Sequence, residues 1–389
     1  MSLGRKIVAR FEELYQTTPT VFIAPGRINL IGEHTDYNGG FVMPAAIDKH
    51  FVFAVSARND AFFSVYALDL NEQVEFTLTD LKAGNSWVNY LMGVVSAVKE
   101  KKSSIKGLNV VFGSNIPMGG GMSSSAALCS GFGFALNETY HLGLTRIELA
   151  KISQSSERNF AGANVGIMDP FASLHGKKDS FLFLDCRSLA YDYAPFQSTE
   201  YELLLIDTKV KHSLASSAYN KRRQACEEGV AYIRKQHPAV SSLRDVSKDL
   251  LFDYREDFNE DTFDKCSYVI DEIERTRQAL NLLKMGDLVS LGALMFQTHW
   301  GLSRSYEVSC PELDLLVSLA EKKKEFFIGS RMMGGGFGGC TINLVKKEST
   351  LAITDEIKAN YFATFKTEPN FYPVALEEGV HLTKNINKL

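Results

Sequence analysis

Apolar positions along the chain alternate between helical and strand spacing. Over residues 5–16, Ile7, Val8, Phe11, Leu14 and Tyr15 fall on one face of a 3.6-residue period, which predicts an amphipathic helix. Residues 20–24 read as a short strand closed by Pro25-Gly26, a pair that favours a turn. Strand patterns follow at 51–57, 62–67, 73–78 and 108–112, with a helix at 87–100 between the last two. Helical spacing covers 124–140 and 146–158, and strands return at 180–185 and 201–207. Helices then dominate at 215–236, 267–283, 285–296 and 311–324, before a strand at 341–345, a helix at 349–362 and a strand at 371–376. This mixture predicts an α+β protein. The turn-rich stretch 176–200 suggests a division into domains 1–190 and 191–389, a count that suits 389 residues. No internal repeat or low-complexity tract interrupts the pattern.

Composition narrows the classes. An apolar fraction of 45% and a charged fraction of 23% are those of an ordinary globular chain. A formal net charge of -4 and a pI near 6.1 argue against nucleic acid or an anionic membrane surface as partner. Any bound anion must be held by local donors. The six cysteines are scattered without a C-x-x-C pair, which suits reduced thiols rather than disulfides or a zinc site. No apolar run is long enough to span a bilayer, and no signal-peptide core opens the chain. The expectation is a cytoplasmic protein.

Against that background, Gly119-Gly120-Gly121-Met122-Ser123-Ser124-Ser125-Ala126-Ala127 stands out. Glycines let backbone N–H groups close on a ligand, and a helix start adds unpaired donors and the positive end of a dipole. No lysine follows, so this is not the Walker loop. It reads as a phosphate cradle of another kind, against the plainer alternative of a flexible turn capping a helix.

A second stretch, Arg27-Ile28-Asn29-Leu30-Ile31-Gly32-Glu33-His34-Thr35-Asp36-Tyr37, crowds Glu33, His34 and Asp36 behind an apolar segment. All three accept hydrogen bonds, which suits a polyhydroxylated ligand, and Arg27 suits a carboxylate or phosphate. Further on, Glu157 lies near a helix end. Asp169 followed by Pro170 reads as a helix N-cap with proline at the first helical position. Gly334-Gly335-Gly336-Phe337-Gly338-Gly339 contains G-x-G-x-x-G, but a strand follows it where a dinucleotide site needs a helix. It is read as a glycine-dense hairpin or lining loop. Lys221, Arg222 and Arg223 are read as a solvated helix face.

The order of these stretches resembles the GHMP family of small-molecule kinases, and within it the galactokinases. Residues 27–37 look like the galactokinase signature. Gly166-Ile167-Met168-Asp169, the run from His212 to Tyr219, and Tyr306-Glu307-Val308-Ser309-Cys310-Pro311-Glu312-Leu313-Asp314 are similar to segments of that family. The resemblance covers nearly the whole chain. It implies a ribosomal S5 domain 2-like N-terminal domain and a ferredoxin-like C-terminal domain, with the site between them. It also implies transfer of a phosphoryl group from ATP, with Mg²⁺, to the anomeric hydroxyl of α-D-galactose, by a monomer.

On that resemblance, Gly119, Gly120, Gly121, Ser123, Ser124 and Ser125 wrap the ATP phosphates, and Trp87 lies beside the adenine. Ser125 (or Ser124) and Glu157 hold the metal. Glu33, His34, Asp36, Gly166, Asp169 and Tyr219 hold the sugar, with Asp169 and Arg27 as the catalytic pair. By their own chemistry alone, Tyr219 and Trp87 are more often packing residues than ligand contacts. Three departures stand out: Pro170 where the family carries Gln, Leu302-Ser303-Arg304-Ser305 where it carries Leu-Arg-Asp-Asp, and Met333 where it carries Thr. The alternatives are a kinase of N-acetylgalactosamine or another sugar, and a non-catalytic galactose sensor. The intact Ser123-Ser124-Ser125-Ala126-Ala127 run favours the enzyme.

Overall fold

The structure, a computed structural model, describes residues 1–386 except 85, 103, 118 and 211–214, with the backbone alone for 215–218. The first half comprises α1 (Leu3–Tyr15), β1 (Thr20–Asn29), β2 (Phe41–Val42), β3 (Pro44–Ala57), β4 (Phe62–Ala67), β5 (Glu72–Thr77), α2 (Val88–Lys101) and β6 (Leu108–Ser114). Then come α3 (Ser124–Thr139), α4 (Arg146–Asn159), α5 (Met168–His175), β7 (Ser180–Asp185) and β8 (Tyr191–Pro195). The second half holds β9 (Tyr201–Asp207), α6 (Ala215–Arg234), α7 (Lys248–Asp253), α8 (Glu260–Met285), α9 (Leu288–Arg304) and α10 (Pro311–Glu321). It ends with β10 (Phe327–Met332), β11 (Cys340–Lys346), α11 (Thr350–Phe365), β12 (Asn370–Val374) and β13 (His381–Thr383).

A six-stranded sheet in the order β13-β1-β3-β6-β4-β5 organises the first half. Its strands alternate their apolar side chains between two faces, as the pleat requires. Val21, Val52, Ala54 and Val111 meet Ile7 and Phe11 of α1 on one face. Phe22, Ala24, Phe53 and Val110 join the core under α2 to α5 on the other. The second half is built on an antiparallel sheet, β10-β11-β9-β12. One face packs on α9, α10 and α11 through Leu204, Ile206, Phe296, Leu316 and Ile353. Leu203, Leu205, Ile342 and Leu344 on the opposite face join the core of the first half. Covering on both faces explains the unbroken apolar run 203–206 of β9.

Several expectations change. β1 does not stop at Pro25-Gly26 but runs on to Asn29, with a register shift between Pro25 and Arg27. Arg27 N–H donates to Met122 C=O at 3.1 Å, and a Cβ on Gly26 would lie 2.7 Å from that same oxygen. The strand therefore carries Arg27 directly against the 119–125 loop. Pairing also continues past residue 190, since β8 pairs with β7, and β13 returns to the edge of β1. Long-range pairing of this kind leaves no local mark in sequence.

Candidate active site

The 119–125 loop is held open by left-handed backbone at Gly119 and Gly121, with φ of 79° and 69°. Ser123 is also left-handed, at φ 54°, and precedes the first residue of α3. Ser124 and Ser125 thus occupy the first turn, where N–H groups have no intrahelical partner. This loop and the turn between β10 and β11 line a cavity of about 230 Å³, with Arg27 at its edge.

Arg27 is almost wholly buried and is the hinge of the site. Its Nε donates to Asp169 Oδ1 at 2.7 Å, its Nη2 to Asp169 Oδ2 at 2.8 Å, and its Nη1 to Gly121 C=O at 2.5 Å. Ser123 Oγ donates to Asp169 Oδ2 as well. Asp169 is not an N-cap: α5 begins at Met168, which makes Asp169 its second residue and Pro170 its third. The first intrahelical bond of α5 runs from Phe171 N–H to Ile167 C=O. Proline one position earlier therefore costs no hydrogen bond, and the Asp169 carboxylate keeps its place against Arg27.

A second cavity of about 340 Å³, within the range of ligand pockets, shares Arg27 and Gly334 to Gly336 with the first. Glu33, His34, Asp36, Gly166, Asp169 and Tyr219 all line it. The 30–40 loop that delivers three of them is tightly tied. Thr35 Oγ1 donates to Gly32 C=O and Phe41 C=O at 2.9 and 2.6 Å, and Gly32 N–H donates to Glu272 of α8 at 2.8 Å. His34 is forced to φ 65°, a strained backbone for a residue with a side chain.

Each polar group has a distinct environment. Glu33 Oε1 accepts from Gly334 N–H at 2.8 Å and from Arg331 Nη2 at 3.1 Å. Breaking such a buried pair costs about 3–5 kcal/mol, so Glu33 is structural as well as cavity-lining. Burial pushes His34 down to about 3, keeping the ring neutral. Burial, and then the Asp169 charge, push Asp36 up to about 6. Gly166 lies flat on Asp36: a Cβ there would sit 1.5 Å from Oδ2. Only glycine fits beside that carboxylate.

Glu157, buried in α4, accepts from Ser125 Oγ at 2.7 Å through Oε2, while Oε1 is buried without a partner. Burial pushes its carboxyl up to about 7. An orphaned buried carboxylate oxygen beside a serine hydroxyl and a phosphate-type loop fits a hard cation such as Mg²⁺. Among the described residues no group of three or more His, Cys, Asp or Glu could hold a metal by itself, so a cation here would draw its remaining ligands from nucleotide and water.

Trp87 is placed apart from both cavities. It precedes α2, donates from Nε1 to Glu72 Oε2 at 2.9 Å and meets the Phe112 ring edge-on. His212, Ser213 and Leu214 lie outside the described residues. Lys221 is exposed, but Arg222 and Arg223 are not a solvated face. Arg222 donates to Tyr306 C=O and Glu307 C=O at 2.7 and 3.0 Å, and Arg223 to Asn164 Oδ1 at 3.0 Å. Sequence reasoning also missed Arg331, which is fully buried and donates to the carbonyls of Asn29, Leu30 and Met332. One charged residue within an apolar strand was the available signal.

A galactokinase galactose-binding signature matches residues 9–57, the GHMP kinase N-terminal domain residues 89–177, and the GHMP kinase C-terminal domain residues 276–362. A galactokinase of Thermosipho africanus is 40% identical over 92% of this chain and 98% of its own. One of Clostridium acetobutylicum is 38% identical over 99% and 98%. The crystal structure of Lactococcus lactis galactokinase complexed with galactose superposes with a TM-score of 0.94 at 30% identity, covering 98% of this chain and 100% of that one. With the signature spanning the strand and loop that build the cavity, and a relative 40% identical over 92% of this chain, the chain belongs to the galactokinase family of GHMP kinases.

Proposed function

We propose that the paired cavities phosphorylate α-D-galactose at its anomeric hydroxyl with ATP, giving galactose 1-phosphate. The observation that carries this is the continuity of the two cavities through Arg27, with a glycine-serine cradle on one side and a carboxylate-rich pocket on the other. Phosphoryl transfer needs alignment and charge neutralisation more than covalent help.

In this reading Gly119, Gly120, Gly121, Ser123 and Ser124 surround the ATP phosphates, and Trp87, which lines neither cavity, lies beside the adenine only where the nucleotide extends beyond the cradle. Glu33, His34, Asp36, Gly166, Asp169 and Tyr219 hold the sugar. Ser125 and Glu157 would hold Mg²⁺, which supplies neutralisation of phosphate charge when bound. Asp169 already accepts three hydrogen bonds, and a carboxylate offers about four lone-pair positions. About one remains for the sugar hydroxyl. So engaged, Asp169 orients the nucleophile and takes its proton late, rather than acting as a strong base. Arg27 supports the transferring phosphoryl group from the same side.

Six free cysteines, four of them buried, support work in a reducing compartment such as the cytoplasm. No helix among the described residues is long and apolar enough to cross a membrane. Release of ADP with galactose, glucose and N-acetylgalactosamine, each with Mg-ATP, tests the reading. Galactose should support the fastest turnover, and a preference for N-acetylgalactosamine would reassign the substrate.

A further inference from the structure

Behind the sugar cavity four side chains form a continuous hydrogen-bonded file. His34 Nδ1 lies 2.8 Å from Tyr37 OH, Tyr37 OH lies 2.7 Å from Tyr306 OH, and Tyr306 OH lies 3.4 Å from Cys226 Sγ. Tyr306 and Cys226 are fully buried. The file ties together the 33–37 loop, the segment after α9, and α6. At the cavity end, His34 Nε2 is buried and makes no well-formed hydrogen bond, with the Gly335 backbone carbonyl facing the ring.

The ring is neutral at physiological pH, because burial lowers its pKa to about 3. A neutral imidazole carries its proton on one nitrogen only, and the bond made by the other decides which. Whatever sits on Nδ1 therefore decides whether Nε2 offers a sugar hydroxyl a donor or an acceptor.

We propose that Tyr37, backed by Tyr306, is a positioning residue that keeps the proton on His34 Nε2, so that His34 presents a hydrogen-bond donor to the sugar. The proposal rests on the cavity being the galactose site. The file has two possible directions. In one, the thiol donates to Tyr306, Tyr306 to Tyr37, and Tyr37 to Nδ1. In the other, Nδ1–H donates to Tyr37, Tyr37 to Tyr306, and Tyr306 to sulfur.

The middle bond joins two phenols whichever of them donates, so the ends decide. A thiol is weak both as donor and as acceptor, so the histidine end carries the choice: a phenol, with a pKa of about 10, is a stronger donor than a neutral imidazole N–H, and the bare imidazole nitrogen is a good acceptor. The first direction places a phenol donor on the imidazole nitrogen, and the second ends on sulfur. Burial pushes the Cys226 thiol up to about 11, so the sulfur carries its hydrogen and can head the file. The choice also complements the cavity. Glu33, Asp36 and Asp169 bring acceptors, and a donor at His34 engages the lone pair of a hydroxyl that those carboxylates cannot.

The test is ¹⁵N NMR of the histidine ring nitrogens in the full-length protein without sugar, with the His34 signals identified by their loss in His34→Gln. Wild type should show the proton on Nε2. Tyr37→Phe, which removes the donor from Nδ1, should give a mixture of tautomers. It should also raise KM for galactose on the order of tenfold, the scale of one lost hydrogen bond, while KM for ATP stays unchanged. Tyr306→Phe should retain the Nε2 proton, because Tyr37 can still donate. A proton on Nδ1 in wild type, an unchanged tautomer in Tyr37→Phe, or a switch caused by Tyr306→Phe would each overturn the proposal. The spectra need no sugar. The proposal can therefore fail while galactose turnover stands, and absent galactose turnover would condemn the site reading without touching the spectra.

Discussion

Asp169 and Arg27 meet through two parallel hydrogen bonds, Nε to Oδ1 at 2.7 Å and Nη2 to Oδ2 at 2.8 Å, across the junction of α5 and β1. The planar guanidinium fixes the plane of the carboxylate as well as its position. That places a negative acceptor and a positive donor side by side where the two cavities join.

Asp169→Asn should lower kcat on the order of a thousandfold while galactose binding remains measurable by calorimetry, because the amide keeps the shape and loses the charge that accepts the proton. Undiminished kcat would remove Asp169 from the reaction.

Pro170→Gln should change kcat only a few-fold. The residue occupies a position of α5 whose backbone nitrogen has no helical partner, so restoring an N–H there adds no helix bond. A strong gain in turnover would mean that the proline holds Asp169 out of place.

The motifs and most elements were legible in the sequence because they are local: a run of glycines, a crowd of polar residues, a helical period. Asp169 shows where local reading failed. An Asp-Pro pair is an ordinary cap signal, but α5 starts at Met168, two residues before Pro170, and Asp169 is held by Arg27 from 142 positions away. Arg222 and Arg223 read as a basic helix face because their acceptors, the carbonyls at 306 and 307 and the Asn164 amide, are remote in sequence. The same applies to β13, whose partner β1 lies at the other end of the chain. The glycine at 166 was legible through its motif, yet its reason, a carboxylate pressed on its Cα, needed coordinates.

Galactose affinity should depend on the ionisation of Asp36. Its folded-state pKa is raised from 3.8 to about 6 by burial and then by the Asp169 charge. A sugar hydroxyl donating to this group favours the carboxylate, so KM for galactose should fall as pH rises through about 6. The stability contribution has the opposite sign. A raised carboxyl pKa favours the protonated folded state, so the unliganded protein should lose stability as pH rises from about 4 to about 6. Asp36→Asn should flatten the KM profile and lessen the stability slope, to which the raised Glu157 carboxyl also contributes, and a KM profile unchanged by that variant would contradict the assignment.

Glu157→Gln should raise the Mg²⁺ concentration needed for half-maximal turnover, since an amide oxygen carries no charge to replace the carboxylate on a hard cation. Galactose binding without nucleotide should persist, because Glu157 does not line the sugar cavity. An unchanged Mg²⁺ requirement would leave Glu157 as a buried carboxyl bonded only to Ser125.

Whether the carboxylate-rich cavity takes galactose as the phosphoryl acceptor is decided by kcat/KM for galactose against that for glucose, each with Mg-ATP. The two sugars differ only in the orientation of the C4 hydroxyl. In a cavity built from Glu33, His34, Asp36 and Tyr219 the wrong epimer leaves buried polar groups unpaired. Galactose should be preferred on the order of a hundredfold or more. Comparable values for the two sugars would contradict it.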